Sequence, residues 1–301
     1  MPDATRVLSR KEWTRAQEEH EQRAMLFVGP HLARRSAGQL HPVWDFLFDY
    51  YRLRASHLTR WHPGVSTALA DATVTPASPV TEWRDYRVAQ DGTAALDLER
   101  FLARRGGALG QIRALLASIS TAPPHFSCFG LHEWAMVYRT ERPRHDLPLR
   151  LGARGTDAVV ESHGIRCTHF DAYRFFTPAA SPLNLTVLTR ERQSLDDQPG
   201  CIHATMDLYK WAAKMGPLVP GELLLDCFEL AVDARRLDME ASPYDCRELG
   251  FDVVPIETPD GKAEYVRRQR ELADRARPLR NRLVALLSAL PTDRIIPGHE
   301  A

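Results

Sequence analysis

Two neighbouring segments with the same charge spacing constrain this chain more than any other feature. In QPGCIHATMDLYKWAAKMGP (198–217), Pro199-Gly200 makes a turn and a helical pattern follows. His203, Asp207, Lys210 and Lys214 recur at i, i+4, i+7 and i+11, so they share one helix face. Ala204, Leu208, Trp211 and Met215 share another. A short connection at Gly216-Pro217 leads into ELLLDCFELAVDARRLDME (222–240), where Glu222, Asp226, Glu229 and Asp233 repeat the spacing. A connection this short predicts an antiparallel helical hairpin, with Lys210 and Lys214 near Glu222 or Asp226. Cys201, Ile202, Tyr209 and Trp211 crowd His203 and Asp207, which predicts burial for both. The acidic stripe on the second helix has the pattern of a solvated face.

The rest of the chain predicts a mostly helical α+β fold: a single domain, 1–301, with a small antiparallel sheet or hairpin in the middle. Ser9-x-x-Glu12 is a capping box that opens a peripheral helix over 9–28, ended by Gly29-Pro30. HPVWDFLFDYYRLR is apolar all round, the pattern of a buried helix, and the histidines of His41-Pro42 and His62-Pro63 fit capping or turn roles. A helix over 96–120 is expected to break at Gly106-Gly107. Residues 156–163 and 165–170 are rich in β-branched and aromatic side chains around Gly164, a hairpin pattern. Thr258 and Pro259 supply the N-cap and first position of a last long helix, and 291–301 reads as a disordered tail.

Five cysteines without CxxC spacing argue for reduced thiols and against a disulfide framework. With no long apolar run and no leader-like N-terminus, the expectation is a cytoplasmic protein with no membrane partner. The formal charge is zero, so any nucleic-acid affinity must come from segregated charge. The last helix offers the best candidate: Arg267, Arg268 and Arg270, interleaved with Glu264 and Glu271. There is neither a P-loop nor a dinucleotide fingerprint.

Candidate chemistry lies in three histidine–carboxylate pairs, His132-Glu133, His169-x-Asp171 and His203-xxx-Asp207. Histidine titrates near neutrality and a carboxylate beside it orients and charges it, so each pair suits general acid–base work. Each histidine taken singly fits equally well as a core side chain hydrogen-bonded to backbone. Trp134, Tyr173, Tyr209 and Trp211, with Lys210, surround the pairs and suggest walls for a flat ligand, or plain core. No HExxH is present, so no metal or other cofactor is expected. If one is held, His132, His169, His203, Asp171 and Asp207 are the donor types for Fe or Zn.

The stretches HPVWDFLFDYYRLR, RWHPG, CFGLHEWAMVYR, CTHFDAYRFFTPAA, QPGCIHATMDLYKWA, LDMEASPYDC and IETPDGKAEYVRRQR resemble a bacterial family labelled 3-methyladenine DNA glycosylase. The resemblance implies DNA as partner, extrusion of an alkylated purine into an aromatic pocket and cleavage of its N-glycosidic bond. Asp171 or Asp207 would stabilise the oxocarbenium or activate water, oriented by His132, His169 or His203. Tyr173, Tyr209 and Trp211 would stack on the base, and the arginine helix would hold phosphates. Two other readings of the same residues stand beside it: a metal- or cofactor-dependent enzyme acting on a small flat substrate, and a non-catalytic ligand-binding protein.

Overall fold

The computed structural model describes residues 6–73 and 79–295. Strand β1 (Arg6–Leu8) leads into α1 (Arg10–Ser36), whose capping box forms: the Ser9 backbone N–H donates to Glu12 Oε2 at 2.8 Å and Glu12 N–H to Ser9 Oγ at 3.4 Å. The helix does not stop at Gly29-Pro30, and it is not peripheral. Trp13, His20, Ala24, Val28 and His31 are buried. Beyond Pro30 its last turns are tied down from outside, because His31 stacks on Phe48 at 4.1 Å and bonds Asp45 Oδ1 at 2.8 Å. A proline removes one donor, and these contacts outweigh that loss.

The buried helix expected after His41 is a single turn, α2 (Phe46–Asp49). His41 shapes the turn before it, one of the two roles the His-Pro pattern suggested: Val43 and Trp44 N–H both donate to His41 Nδ1 at 3.2 Å. The chain then turns through Arg52, a left-handed residue at φ 52°, into α3 (Ala55–Thr59). Strands β2 (Thr67–Leu69), β3 (Tyr86–Val88) and β4 (Ala94–Leu96) complete a four-stranded mixed sheet of order β1-β2-β4-β3. β1 pairs parallel with β2, and the other pairings are antiparallel. The sheet therefore sits in the first third of the chain, over its own apolar cluster of Trp13, Trp61 and Leu69.

Helix α4 (Leu98–Thr121) passes through Gly106-Gly107 unbroken. A Cβ on Gly106 would lie 1.9 Å from the Arg294 carbonyl oxygen, so this glycine marks a close approach. That approach also corrects the expected tail. Residues 292–294 form a 3₁₀ turn and Ile295 is fully buried, while 296–301 lie outside the described residues.

The hairpin expected over 156–170 is absent. After α5 (Leu131–Ala135) comes α6 (Gly152–Glu161), whose Thr156, Val159 and Val160 are buried at helical spacing. One apolar helix face outweighs the β preference of those side chains. Ile165 makes one isolated parallel bridge to Asn184, and one-turn helices α7 (Phe170–Tyr173) and α8 (Gln193–Asp196) follow.

The helical hairpin is present as α9 (Ile202–Met215) and α10 (Gly221–Glu240), turned by Gly216 at φ 58° and packed extensively on each other. The capped α11 (Pro259–Ser288) packs on α9, α10 and α4, with Thr258 Oγ1 accepting from Gly261 N–H at 3.1 Å. This encloses α9 almost completely. Its polar face (His203, Asp207, Lys210) is buried as well as its apolar one. No helix among the described residues is long and apolar enough to cross a membrane. The architecture is the mostly helical α+β fold expected.

Candidate active site

Four other segments, 132–133, 169–171, 190–197 and 235–238, come together around the polar face of α9 inside the protein. Asp207 Oδ2 accepts from Lys210 Nζ at 2.6 Å, the i, i+3 neighbour one turn on. The same ammonium reaches Asp171 Oδ2 at 3.1 Å, on α7. His169, the residue preceding α7, brings Nε2 to 3.4 Å from Asp207 Oδ2 and 4.0 Å from Asp197 Oδ2. Asp171 is also paired with Arg190 Nη2 at 2.9 Å, and Asp197 accepts from Gln193 Nε2 at 2.9 Å. The ring of His203 stacks on His169 at 5.2 Å and meets His132 edge-on at 4.4 Å. His132 Nε2 bonds Asp238 Oδ1 at 2.8 Å, and Arg235 joins Asp238 Oδ2 (2.7 Å) to Glu133 Oε1 (3.2 Å).

Thus the structure brings together all six residues of the three pairs: His132, Glu133, His169, Asp171, His203 and Asp207. None is more than 8% exposed. Charge placed this deep is costly unless paired, which is why the groups interlock.

The environments drive their protonation apart. Burial alone would raise the Asp207 carboxyl, but Lys210 and His169 outweigh it and hold it well below the usual carboxylate range. Burial would depress His169, yet Asp197 and Asp207 lift it above the ordinary imidazole value. Burial also works against the Lys210 ammonium, and Asp207 and Asp171 raise it regardless. His132 follows the same logic, depressed by burial but raised strongly by Asp238. His203 has no such partner: burial and the neighbouring His132 push it far down, so it stays a neutral imidazole. Pairs of titratable groups driven apart in this way mark positioned acids and bases.

The expected Lys210 and Lys214 contacts with Glu222 or Asp226 are not made. Asp226 pairs instead with Arg23 and Arg282, Glu229 with Arg23, and Asp233 with Arg275, so the acidic stripe is a partly solvated face laced to α1 and α11. Among the aromatics, Trp134 is fully buried with its indole N–H donating to the Ala241 carbonyl at 2.9 Å. Tyr209 is 1% exposed and packs on Tyr51 and Phe228. Both are core and leave no face for a ligand. Tyr173 is half-buried, its hydroxyl 3.4 Å from the Ser181 carbonyl. Trp211 does face a cleft of about 670 Å³, lined also by Arg105, Ile112, Arg190, Gln193 and Lys214. Lys210 Nζ lies 4.2 Å from the Trp211 ring centroid, and Arg190 and Gln193 bond Asp171 and Asp197, so the cleft abuts the buried network.

The three α11 arginines read from the sequence as phosphate contacts are already engaged. Arg267 lies between Glu264 and Glu271, Arg268 reaches Glu240 at 2.6 Å, and Arg270 sits over the Phe126 ring. The metal-ligand set read from the sequence is also redrawn. Asp171 and Asp207 are taken up by Lys210, whereas His132, His203 and Asp238 bring one donor atom each to within 4.8 Å of one another.

Asp238, Arg235, Asp197 and Arg190 were missed by sequence reasoning. A signal for Asp238 existed, since Arg235 stands at i−3 on the same helix face, flanked in sequence by apolar residues on both sides of Asp238, Leu237 and Met239. No protein-family model, no curated protein and no solved structure matches this chain.

Proposed function

We propose that this protein is an enzyme that performs proton-transfer chemistry on a small, flat, anionic molecule admitted through the Trp211 cleft. One observation carries the reading: a single buried carboxylate, Asp207, is held between the His169 imidazole and the Lys210 ammonium. In that arrangement Asp207 orients His169 as general acid, and Lys210 keeps Asp207 ionised as the fixed counter-charge of the imidazole. The cleft supports the substrate class. It offers an indole face for stacking and the cations Arg105, Arg190 and Lys214, with Glu191 opposing them. The Arg190 side chain is 55% exposed while its partner Asp171 is 9% exposed. An incoming anion would draw Arg190 away and open Asp171 and Lys210 to the bound molecule.

The glycosylase reading has its own support, because His132, Glu133, His169, Asp171, His203, Asp207, Lys210 and Asp238 all lie within the stretches that resemble that family. A duplex, however, would need cations free for phosphates, and Arg267 and Arg268 are occupied by acidic partners. Two assays decide between them. Quenching of tryptophan fluorescence by nucleoside monophosphates and aryl carboxylates should be saturable and lost in Trp211→Phe or Lys214→Gln. Methylated duplex DNA incubated with the protein should release no free base. Release of 3-methyladenine, abolished by Asp207→Asn and accompanied by salt-sensitive duplex binding, would replace the small-molecule reading with the glycosylase one.

A further inference from the structure

The other half of the buried network has donors that the proton-transfer reading leaves unused. His132, His203 and Asp238 come from three separate segments (α5, α9 and α10) and present their donor atoms within 4.8 Å of one another. His203 is only 7% exposed and its Nδ1 has no hydrogen-bond partner. The hydroxyl of Tyr265, on α11 and fully buried, is likewise unpartnered. Buried polar atoms are almost always satisfied, so orphans beside a histidine–carboxylate cluster point to a missing ligand.

We infer that His132, His203 and Asp238 bind a divalent first-row transition metal ion. Two imidazoles and one carboxylate suit zinc or ferrous iron, and two nitrogen donors disfavour magnesium and calcium. Three protein ligands leave open positions for water or substrate, the arrangement of a reactive site.

The surroundings fit a ligand set that is held in orientation. Arg235 Nη1 fixes the second oxygen of Asp238 at 2.7 Å, and Cys128 Sγ lies 3.5 Å from His132 Nδ1. Bonds of about 2.1 Å in a tetrahedral site set donors roughly 3.4 Å apart. The 2.8 Å pair of His132 and Asp238 must open slightly and His203 must swing inward, a movement its free Nδ1 does not resist. Asp171 and Asp207 have no part in the site, because Lys210 holds both.

The role of the ion rests on the enzyme reading above; its presence does not. The test uses the full chain, stripped with chelator and then exposed to Zn²⁺, Fe²⁺ or Co²⁺ alone. Mass-spectrometric metal analysis should give one ion per chain, and Co²⁺ should produce visible d–d absorption. His203→Ala should weaken uptake at least a hundredfold, His203→Phe should do the same while filling the space, and His163→Ala, away from the cluster, should change nothing. Circular dichroism checks that each variant is folded. A folded wild-type protein that takes up none of the three ions overturns the inference, as does full uptake by a folded His203→Phe variant. Ligand binding in the Trp211 cleft without metal uptake would sink the ion and spare the enzyme reading. Metal uptake without any cleft ligand would do the reverse.

Discussion

Replacing Lys210 by methionine tests the idea that one ammonium holds the interior of this protein together. The substitution keeps the aliphatic stem and removes only the charge, which now serves Asp207 at 2.6 Å and Asp171 at 3.1 Å. Asp171 retains Arg190 at 2.9 Å and a second guanidinium, Arg174, at 3.4 Å, so it is largely compensated. Asp207 keeps His169, at 3.4 Å, and a hydrogen bond with the Tyr51 hydroxyl, neither of which replaces an ammonium. Breaking a buried ion pair by deleting one partner costs about 3–5 kcal/mol, and with Asp171 compensated the cost should fall near the lower end, about 3–4 kcal/mol. For a domain of this size 1 kcal/mol corresponds to roughly 2 °C, which predicts a melting temperature lowered by about 6–8 °C. Urea unfolding at pH 7, with thermal melts beside it, gives the measurement. Adding Asp207→Asn to Lys210→Met removes the orphaned charge and should recover at least about 1 kcal/mol of the loss. A single variant melting within 2 °C of wild type, or a double variant no better than the single, would refute the reasoning.

Gly106→Ala should cost about 1–3 kcal/mol, because its Cβ would collide with the Arg294 carbonyl, and it should expose Arg294 to trypsin; unchanged stability and cleavage would show that this contact is not real. Trp134→Phe strands the buried Ala241 carbonyl, with an expected loss of about 1–3 kcal/mol by urea unfolding. Acid should weaken the fold through His62, whose imidazole burial holds down to about 3, with Arg60 and His20 also opposing its charge. Unfolded His62 takes up its proton near pH 6.5 and the folded form not until about pH 3, so this contribution is complete above 6.5 and is lost as pH falls between those values. His62→Gln should flatten stability against pH in that window by about 1 kcal/mol per pH unit, and an unchanged slope would exclude the effect. Arg267→Ala should leave the thermal melt almost unchanged because its carboxylate partners are exposed. Arg268→Ala should cost more, since Glu240 is 2% exposed on its side chain; equal effects in thermal melts would contradict this.

What could be read along the chain was mostly local. Capping at Ser9 and Thr258 needs only side chains within three residues, and both caps formed where expected. The α9–α10 hairpin was legible because a four-residue spacing and a short Gly-Pro turn leave few alternatives. Breaks were misread at Gly106 and Pro30 because both residues are judged by propensity, a small term that tertiary contacts exceed. Arg294 packs on one and Phe48 anchors the helix beyond the other. The supposed hairpin at 156–170 failed for the same reason, with Val159 and Val160 choosing burial over strand preference.

The sequence by itself determined which residues could carry charge into the interior: three histidine–carboxylate pairs embedded among apolar neighbours, with Lys210 one turn from Asp207. Only the tertiary structure decided how that charge is balanced. Lys210 turned inward to Asp171 and Asp207, the acidic stripe of α10 went to arginines of α1 and α11, and Asp238 arrived from α10 to meet His132. The physical reason is reach. Spacing along a helix says which side chains share a face, but the energy of a buried charge depends on groups tens of residues away that come within 3 Å only when the chain is folded.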